Sequence, residues 1–207
     1  MTDLTLFHTA DVHRATFDAL ANRLAPEAKL THVVRPDWLE RAQGGIDVAL
    51  SDEILTEIAL APNALCTCTS IAPVAVDAGA LRIDRPMMDA AAATGGPVLM
   101  AYCLDSTLAP SSDLLTQAFA EIGKAPGIHP LPLPELWELF ETQRPEDFAK
   151  QIAKRIDQAI DQRPEITCVV LAQASMAQAS QYVTTPVPVL SSPELALRHA
   201  LGLSSAG

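Results

Sequence analysis

Two short stretches of the chain repeat each other at a fixed distance, and this repeat limits the fold more than any other feature. Thr67-Cys68-Thr69-Ser70-Ile71-Ala72 aligns with Ala172-Gln173-Ala174-Ser175-Met176-Ala177 at a constant offset of 105, so Cys68 falls on Gln173. Each stretch follows an apolar run with the character of a buried strand, and each leads into an Ala-rich segment suited to a helix. A strand that hands over to a helix is where α/β sheets place their ligands, because free N–H groups gather at the helix start.

The same alternation runs through the whole chain. Leu4 to His8 predicts a strand, Asp11 an N-cap for a helix through about Leu24, and Lys29 to Val34 a second strand. Arg35-Pro36-Asp37 ends that strand ahead of an irregular stretch with Trp38 and Gly44-Gly45, read as a packed connection in preference to a lid. Asp52 to Ala61 predicts a helix, Ala64 to Thr67 a strand, Ile71 to Asp77 a short helix and Ala80 to Ile83 a strand, and Pro86 opens a helix through Ala93. Gly95-Gly96-Pro97 is the strongest internal boundary, and the pattern then restarts. Strands are predicted at Val98 to Cys103, His129 to Leu133 (punctuated by proline, hence near an edge), Thr167 to Leu171 and Val187 to Leu190. Helices are predicted at Pro110 to Ile122, Pro134 to Phe140, Pro145 to Ile160, Ser175 to Tyr182 and Pro193 to Leu201. Ser191-Ser192-Pro193 answers Asp84-Arg85-Pro86 at an offset of 107.

Alternating strands and helices predict parallel sheets covered by helices. The duplication predicts two similar α/β lobes, residues 1–94 with the Cys68 motif and residues 95–207 with the Gln173 motif, the terminal segment being free to cross back to the first lobe. A pseudo-two-fold relation would set the two turns across a cleft. With 25 acidic against 14 basic residues the formal charge is −11, which disfavours nucleic acid and anionic membranes as partners. No apolar stretch approaches a membrane span, and the first residues lack a charged leader, so the expectation is a soluble cytoplasmic protein. Four cysteines without a secretion signal suggest reduced thiols, and Cys66-Thr67-Cys68 is too tight for a zinc knuckle, so no metal is expected.

The Cys68-Thr69-Ser70 turn after a buried strand, its counterpart in a second α/β half, and Thr9 at the end of the first strand together resemble the aspartate/glutamate racemase superfamily. Hydantoin racemases, maleate isomerases and arylmalonate decarboxylases belong to the same group. The resemblance covers nearly the whole chain. It implies cofactor-independent chemistry in which a cysteine from each half works as acid and base on opposite faces of a substrate α-carbon. By that resemblance Cys68 is the first catalytic cysteine, while Thr9, Thr69, Ser70 and Ser175 hold a small carboxylate or amino-acid substrate; Ala174 is a further substrate-binding candidate, and Gln173 either hydrogen-bonds the substrate or fills the space of the missing cysteine. It also implies a homodimer, with apolar segments such as Leu131 to Phe140 available for its interface. The chain departs from the pattern at Gln173, which neither gives nor takes a proton at neutral pH.

The chemistry itself asks for a thiolate at Cys68, since proton abstraction beside a carboxylate needs a reactive base and nucleophilic addition needs deprotonated sulfur. A helix N-terminus favours that charge and the enolate-like charge of the transition state. Cys66 is assigned to the core, as is Cys168 inside its strand. His8 and His13 are weighed as a proton shuttle, with a solvated helix start as the plainer role for His13. Arg85 is weighed as a carboxylate fork against a surface residue after an Asp84 N-cap, and Cys103 as a replacement second thiol. Two functions follow: an isomerase of the racemase type, with a one-cysteine decarboxylase as its variant, or a non-catalytic carboxylate-binding protein.

Overall fold

A computed structural model describes residues 3–203. The chain divides into two compact units, one made of the residues up to Pro86 with those from Pro193 onward, the other of Met87–Ser192.

The first unit runs β1 (Asp3–His8), α1 (Val12–Leu24), β2 (Lys29–Val34), α2 (Pro36–Ala42), α3 (Val48–Ala59), β3 (Ala64–Cys66), α4 (Ala72–Asp77) and β4 (Leu81–Arg82). Its strands form one parallel sheet in the order β2-β1-β3-β4. In α3 the Asp47 side chain caps the helix by accepting the Leu50 N–H at 2.7 Å. Leu50, Ile54 and Ile58 then recur every four residues as a fully buried stripe. That stripe shares a core with Phe7, Trp38, Cys66, Cys68 and Ile71.

The second unit runs α5 (Arg85–Thr94), β5 (Val98–Tyr102), α6 (Asp105–Glu121), β6 (Ile128–Pro132), a 3-10 turn (Pro134–Leu136), α7 (Trp137–Glu141), α8 (Pro145–Asp161), β7 (Cys168–Leu171), a 3-10 helix (Ala174–Gln181) and β8 (Val189–Ser191); α9 (Ser192–Ala200) follows and, from Pro193, belongs to the first unit. Its parallel sheet has the order β6-β5-β7-β8, the same as in the first unit, with the proline-bearing β6 on an edge. The helix α8 opens on Pro145 with Glu146 and Asp147 in its first turn and lays Phe148, Ile152 and Ile156 into the core beside Val169 and Leu171.

Strand register makes the duplication concrete. Phe7 pairs with Cys66 in the first sheet and Ala101 with Leu171 in the second. Beyond each pair the chain closes with the same bond, Thr67 N–H to the Phe7 carbonyl and Ala172 N–H to the Ala101 carbonyl, both 3.0 Å. The cysteine turn thus matches at an offset of 105, whereas the first strands match at 94, which makes Cys103 the counterpart of Thr9.

Several expectations need correction. The stretch around Trp38 is helical, because Pro36 ends β2 and at once serves as a first-turn proline of α2. Trp38 is fully buried, stacks on Phe7 at 6.3 Å, lies 4.6 Å beneath the Arg35 guanidinium and donates its Nε1–H to Glu53 at 3.1 Å. Arg35 in turn bonds Asp37, Glu53 and Glu57. The helix expected from Pro110 begins at Asp105 and carries Pro110 inside it, its start marked by the extended Leu104. Residues 174–181 form a tight 3-10 helix, entered and left through i to i+3 bonds from Met176 to Gln173 and from Tyr182 to Ala179. Pro134 to Phe140 is split between a 3-10 turn and α7.

Because Trp38 fills the space between β1 and α3, Trp38→Ala is expected to destabilise the protein by about 3–5 kcal/mol in urea unfolding, while Val48→Ser on the exposed start of α3 stays within about 0.5 kcal/mol of wild type.

Candidate functional site

In the first unit β1 stops at His8 and β3 at Cys66, and the chain beyond both strands forms the turn that carries Cys68 into α4. Thr9, Thr67, Cys68, Thr69 and Ser70 are all buried there. The Cys68 thiol meets the Thr9 and Ser70 hydroxyls and the backbone N–H groups of Ser70 and Ile71. Burial pushes the thiol above its ordinary range, against the downward pull of those donors, with Thr9 the strongest of them. The resting group is therefore a thiol, not the thiolate expected from a helix start. The following helix, α4, is only six residues long, too short for a dipole to outweigh desolvation. Cys66 is fully buried, donates its thiol proton to the Cys68 carbonyl at 3.4 Å and is pushed up by the same burial.

The second unit builds the matching turn differently. Gln173 is buried with extended backbone (φ −124°, ψ 138°), and its Oε1 accepts the N–H of Cys103 at 2.6 Å and of Leu104 at 3.0 Å. Two N–H donors on one atom identify that atom as the amide oxygen and leave the NH2 group directed elsewhere. Ala174 and Ser175 open the 3-10 helix, both half-buried. Cys103 is almost fully buried, and its thiol is pushed up to about 12 by burial and by Glu135. Thiol and partner have thus exchanged strands between the halves: Thr9 and Cys68 in one, Cys103 and Gln173 in the other.

The remaining candidates take distinct places. Cys168 is fully buried within β7 beside the Thr94 hydroxyl at 3.7 Å. Asp84 is fully buried and held by Arg82 through Nε at 2.9 Å and Nη2 at 2.8 Å, while Arg85 is half-buried at the start of α5. His13 is buried rather than solvated, because the start of α1 turns it toward His8, with ring centroids 6.1 Å apart. Among the described residues no group of three His, Cys, Asp or Glu side chains is arranged to hold a metal ion. No described helix is long and apolar enough to cross a membrane.

Sequence reasoning missed His32 and Asp18. His8 Nε2 lies 2.8 Å from His32 Nδ1, and His32 Nε2 lies 3.0 Å from the Asp18 carboxylate. The usable signal was the β1–β2 register, in which His8 pairs with Val34 and so lies diagonal to His32 on the same face.

No protein-family model matches the chain, and no curated protein matches it by sequence. Solved structures do. The glutamate racemase of Francisella tularensis in complex with D-glutamate superposes with a TM-score of 0.70 at 9% identity, over 100% of this chain and 84% of that one. The allantoin racemase of Klebsiella pneumoniae gives 0.66 at 17% identity, over 100% and 91%. A variant of arylmalonate decarboxylase gives 0.58 at 15% identity, over 99% and 96%. The chain therefore has the fold of the racemases and decarboxylase to which its motifs point.

The buried imidazoles impose a pH dependence. Burial, then the charges of His13, His32 and Arg14, lower His8 to about 3, and burial lowers His13 to about 4. The unfolded chain takes up these protons near 6.5 while the folded chain refuses them, so the contribution is complete above about pH 6.5 and is lost as pH falls toward 4. Urea midpoints are expected to hold from pH 7.5 to about 6.5 and then to fall toward pH 4.5, and His8→Gln to flatten that fall.

Proposed function

We propose that the protein is a cofactor-independent enzyme of the racemase type that acts at the α-carbon of a small carboxylic or amino acid, with Cys68 as its proton-transferring thiol. The observation that supports this is the convergence of the Thr9 and Ser70 hydroxyls and the Ser70 and Ile71 N–H groups on one sulfur, at a strand-to-helix turn of a racemase fold. Thiol acid–base work needs donors that stabilise sulfur once it is charged, and the same N–H groups suit the oxygen charge of an enolate. Thr69 supplies a further hydroxyl for the substrate carboxylate in this reading.

The raised Cys68 thiol favours a second reading within the same chemistry. A neutral buried thiol is better placed to give a proton than to take one. In decarboxylation the bond to the departing carboxylate breaks, its electron pair enters an enolate, and CO2 leaves. The Cys68 proton then passes to the α-carbon, and the resulting thiolate recovers a proton from water. Gln173, the counterpart of Cys68 in the repeat, has no proton to deliver.

Proton NMR of amino acids, hydroxy acids and malonates incubated with the protein in D2O tests both readings. Deuterium at Cα, or CO2 release with deuterium in the product, is expected with wild type and is expected to fall by at least about a hundredfold in Cys68→Ser. Gln173→Cys is expected to convert a product of one configuration into a mixture. Ligand-dependent stabilisation without exchange in any substrate would leave a carboxylate-binding protein instead.

A further inference from the structure

On the face of the first sheet covered by α1, a row of hydrogen bonds leads from solvent to the residue beside Cys68. Asp18, its side chain 57% exposed, meets His32 Nε2 at 3.0 Å, and His32 Nδ1 meets His8 Nε2 at 2.8 Å. His8 Nδ1 meets the Thr67 hydroxyl at 2.8 Å, and that hydroxyl donates to the Phe7 carbonyl at 3.0 Å. His8 and Thr67 are almost fully buried, and the His32 side chain is 7% exposed. The neighbouring Thr9–Cys68 hydrogen bond belongs to the opposite face, since Cys68 packs with Phe7 and α3 while His8 packs on Phe17 of α1. Two adjacent cross-strand bonds, one on each face, therefore tie the end of β1 to the Cys68 turn.

The row is one proton short when both rings are neutral. It contains four contacts that each require a hydrogen, whereas the Thr67 hydroxyl and the two neutral rings supply one apiece and an ionised Asp18 supplies none. If His8 carries its proton on Nδ1, the lone pair of His32 Nε2 faces the Asp18 carboxylate. If His8 carries it on Nε2, the Thr67 hydroxyl must leave the Phe7 carbonyl to satisfy Nδ1. A proton taken from water onto His32 Nε2 fills every contact, placing an imidazolium against a carboxylate and breaking no other bond.

We propose that Asp18, His32 and His8 form a solvent-connected proton chain that positions the Cys68 turn, with the proton at the Asp18–His32 contact setting whether His8 donates Nδ1–H to Thr67. His8 is a positioning residue in this scheme, acting through Thr67. The other groups facing it are His13 and Arg14 of α1: Arg14 lies near Asp11 at 3.6 Å, and burial lowers His13 to about 4. Among the described residues no further strand lies beyond His32, because β2 is at the sheet edge. The inference rests on the proposed function only in taking Cys68 as the group whose reactivity matters.

The test uses the full chain. Cys68 alkylation by iodoacetamide, followed by peptide mass spectrometry, is compared between wild type and Asp18→Asn from pH 5.5 to 8.5. The ratio of the two rates is expected to change with pH by about threefold to tenfold, the size of one hydrogen bond's net contribution. Thr67→Ser, which keeps the hydroxyl, is expected to retain the wild-type profile, and Thr67→Val to lose it. In parallel, ring 15N spectra of histidine-labelled protein are expected to show the His8 proton on Nδ1 at low pH in wild type and a pH-independent His8 ring in Asp18→Asn. A rate ratio constant with pH, or a His8 proton on Nε2 throughout, overturns the chain; if Cys68 does not react, the ring spectra decide alone. Loss of substrate exchange with this coupling intact would sink the catalytic reading of Cys68 and leave the chain standing.

Discussion

The join between β1 and the Cys68 turn is held by one acceptor, the carbonyl of Phe7. It takes the Thr67 N–H and the Thr67 hydroxyl, each at 3.0 Å, where β1 and β3 stop pairing and their turns begin. At that point the backbone has left the sheet but not the protein interior, so every donor released by the ladder must find a buried partner. The choice of Thr at 67 places an oxygen on the side facing α1, where His8 can use it. Cys68, the next residue, turns to the other side, where Thr9 and Ser70 meet its sulfur.

The same demand is met in the second unit with other atoms. Ala172 takes the place of Thr67 and, having no hydroxyl, brings only its backbone N–H to the Ala101 carbonyl. The N–H groups of Cys103 and Leu104 close on the amide oxygen of Gln173 instead. Burial raises Cys66 and Cys68 and holds Cys103 at about 12, so location decides the protonation of these thiols before any neighbour acts. What separates Cys68 is its set of donors rather than its exposure.

How far the sequence revealed this depends on the range of the interactions involved. Strand identity was legible because the apolar runs at Leu4 to His8 and Val98 to Cys103 are local, and the 105-residue offset marked the two turns. Helix α2 was hidden because Pro36 has two meanings, ending one element and opening the next. Helix α6 was misplaced because Pro110 reads as a start when the preceding extended residue is out of view. In the site, the hydroxyl-rich turn was visible in the motif, whereas the match of Cys103 to Thr9 required strand register, since the first strands repeat at 94 and the turns at 105. The His8–His32–Asp18 row joins three elements whose contacts no local pattern encodes.

The closure of Gln173 on its own unit also has a thermodynamic side. Its amide oxygen is a strong acceptor that satisfies both N–H groups without a ligand, so the second turn is as well bonded empty as filled. In the first unit the converging donors meet sulfur, a weak acceptor. Stabilisation by a bound carboxylate would therefore be unevenly shared: one half of a duplicated architecture would tighten as ligand rises, while its twin, already self-saturated, would keep the same protection against hydrogen exchange.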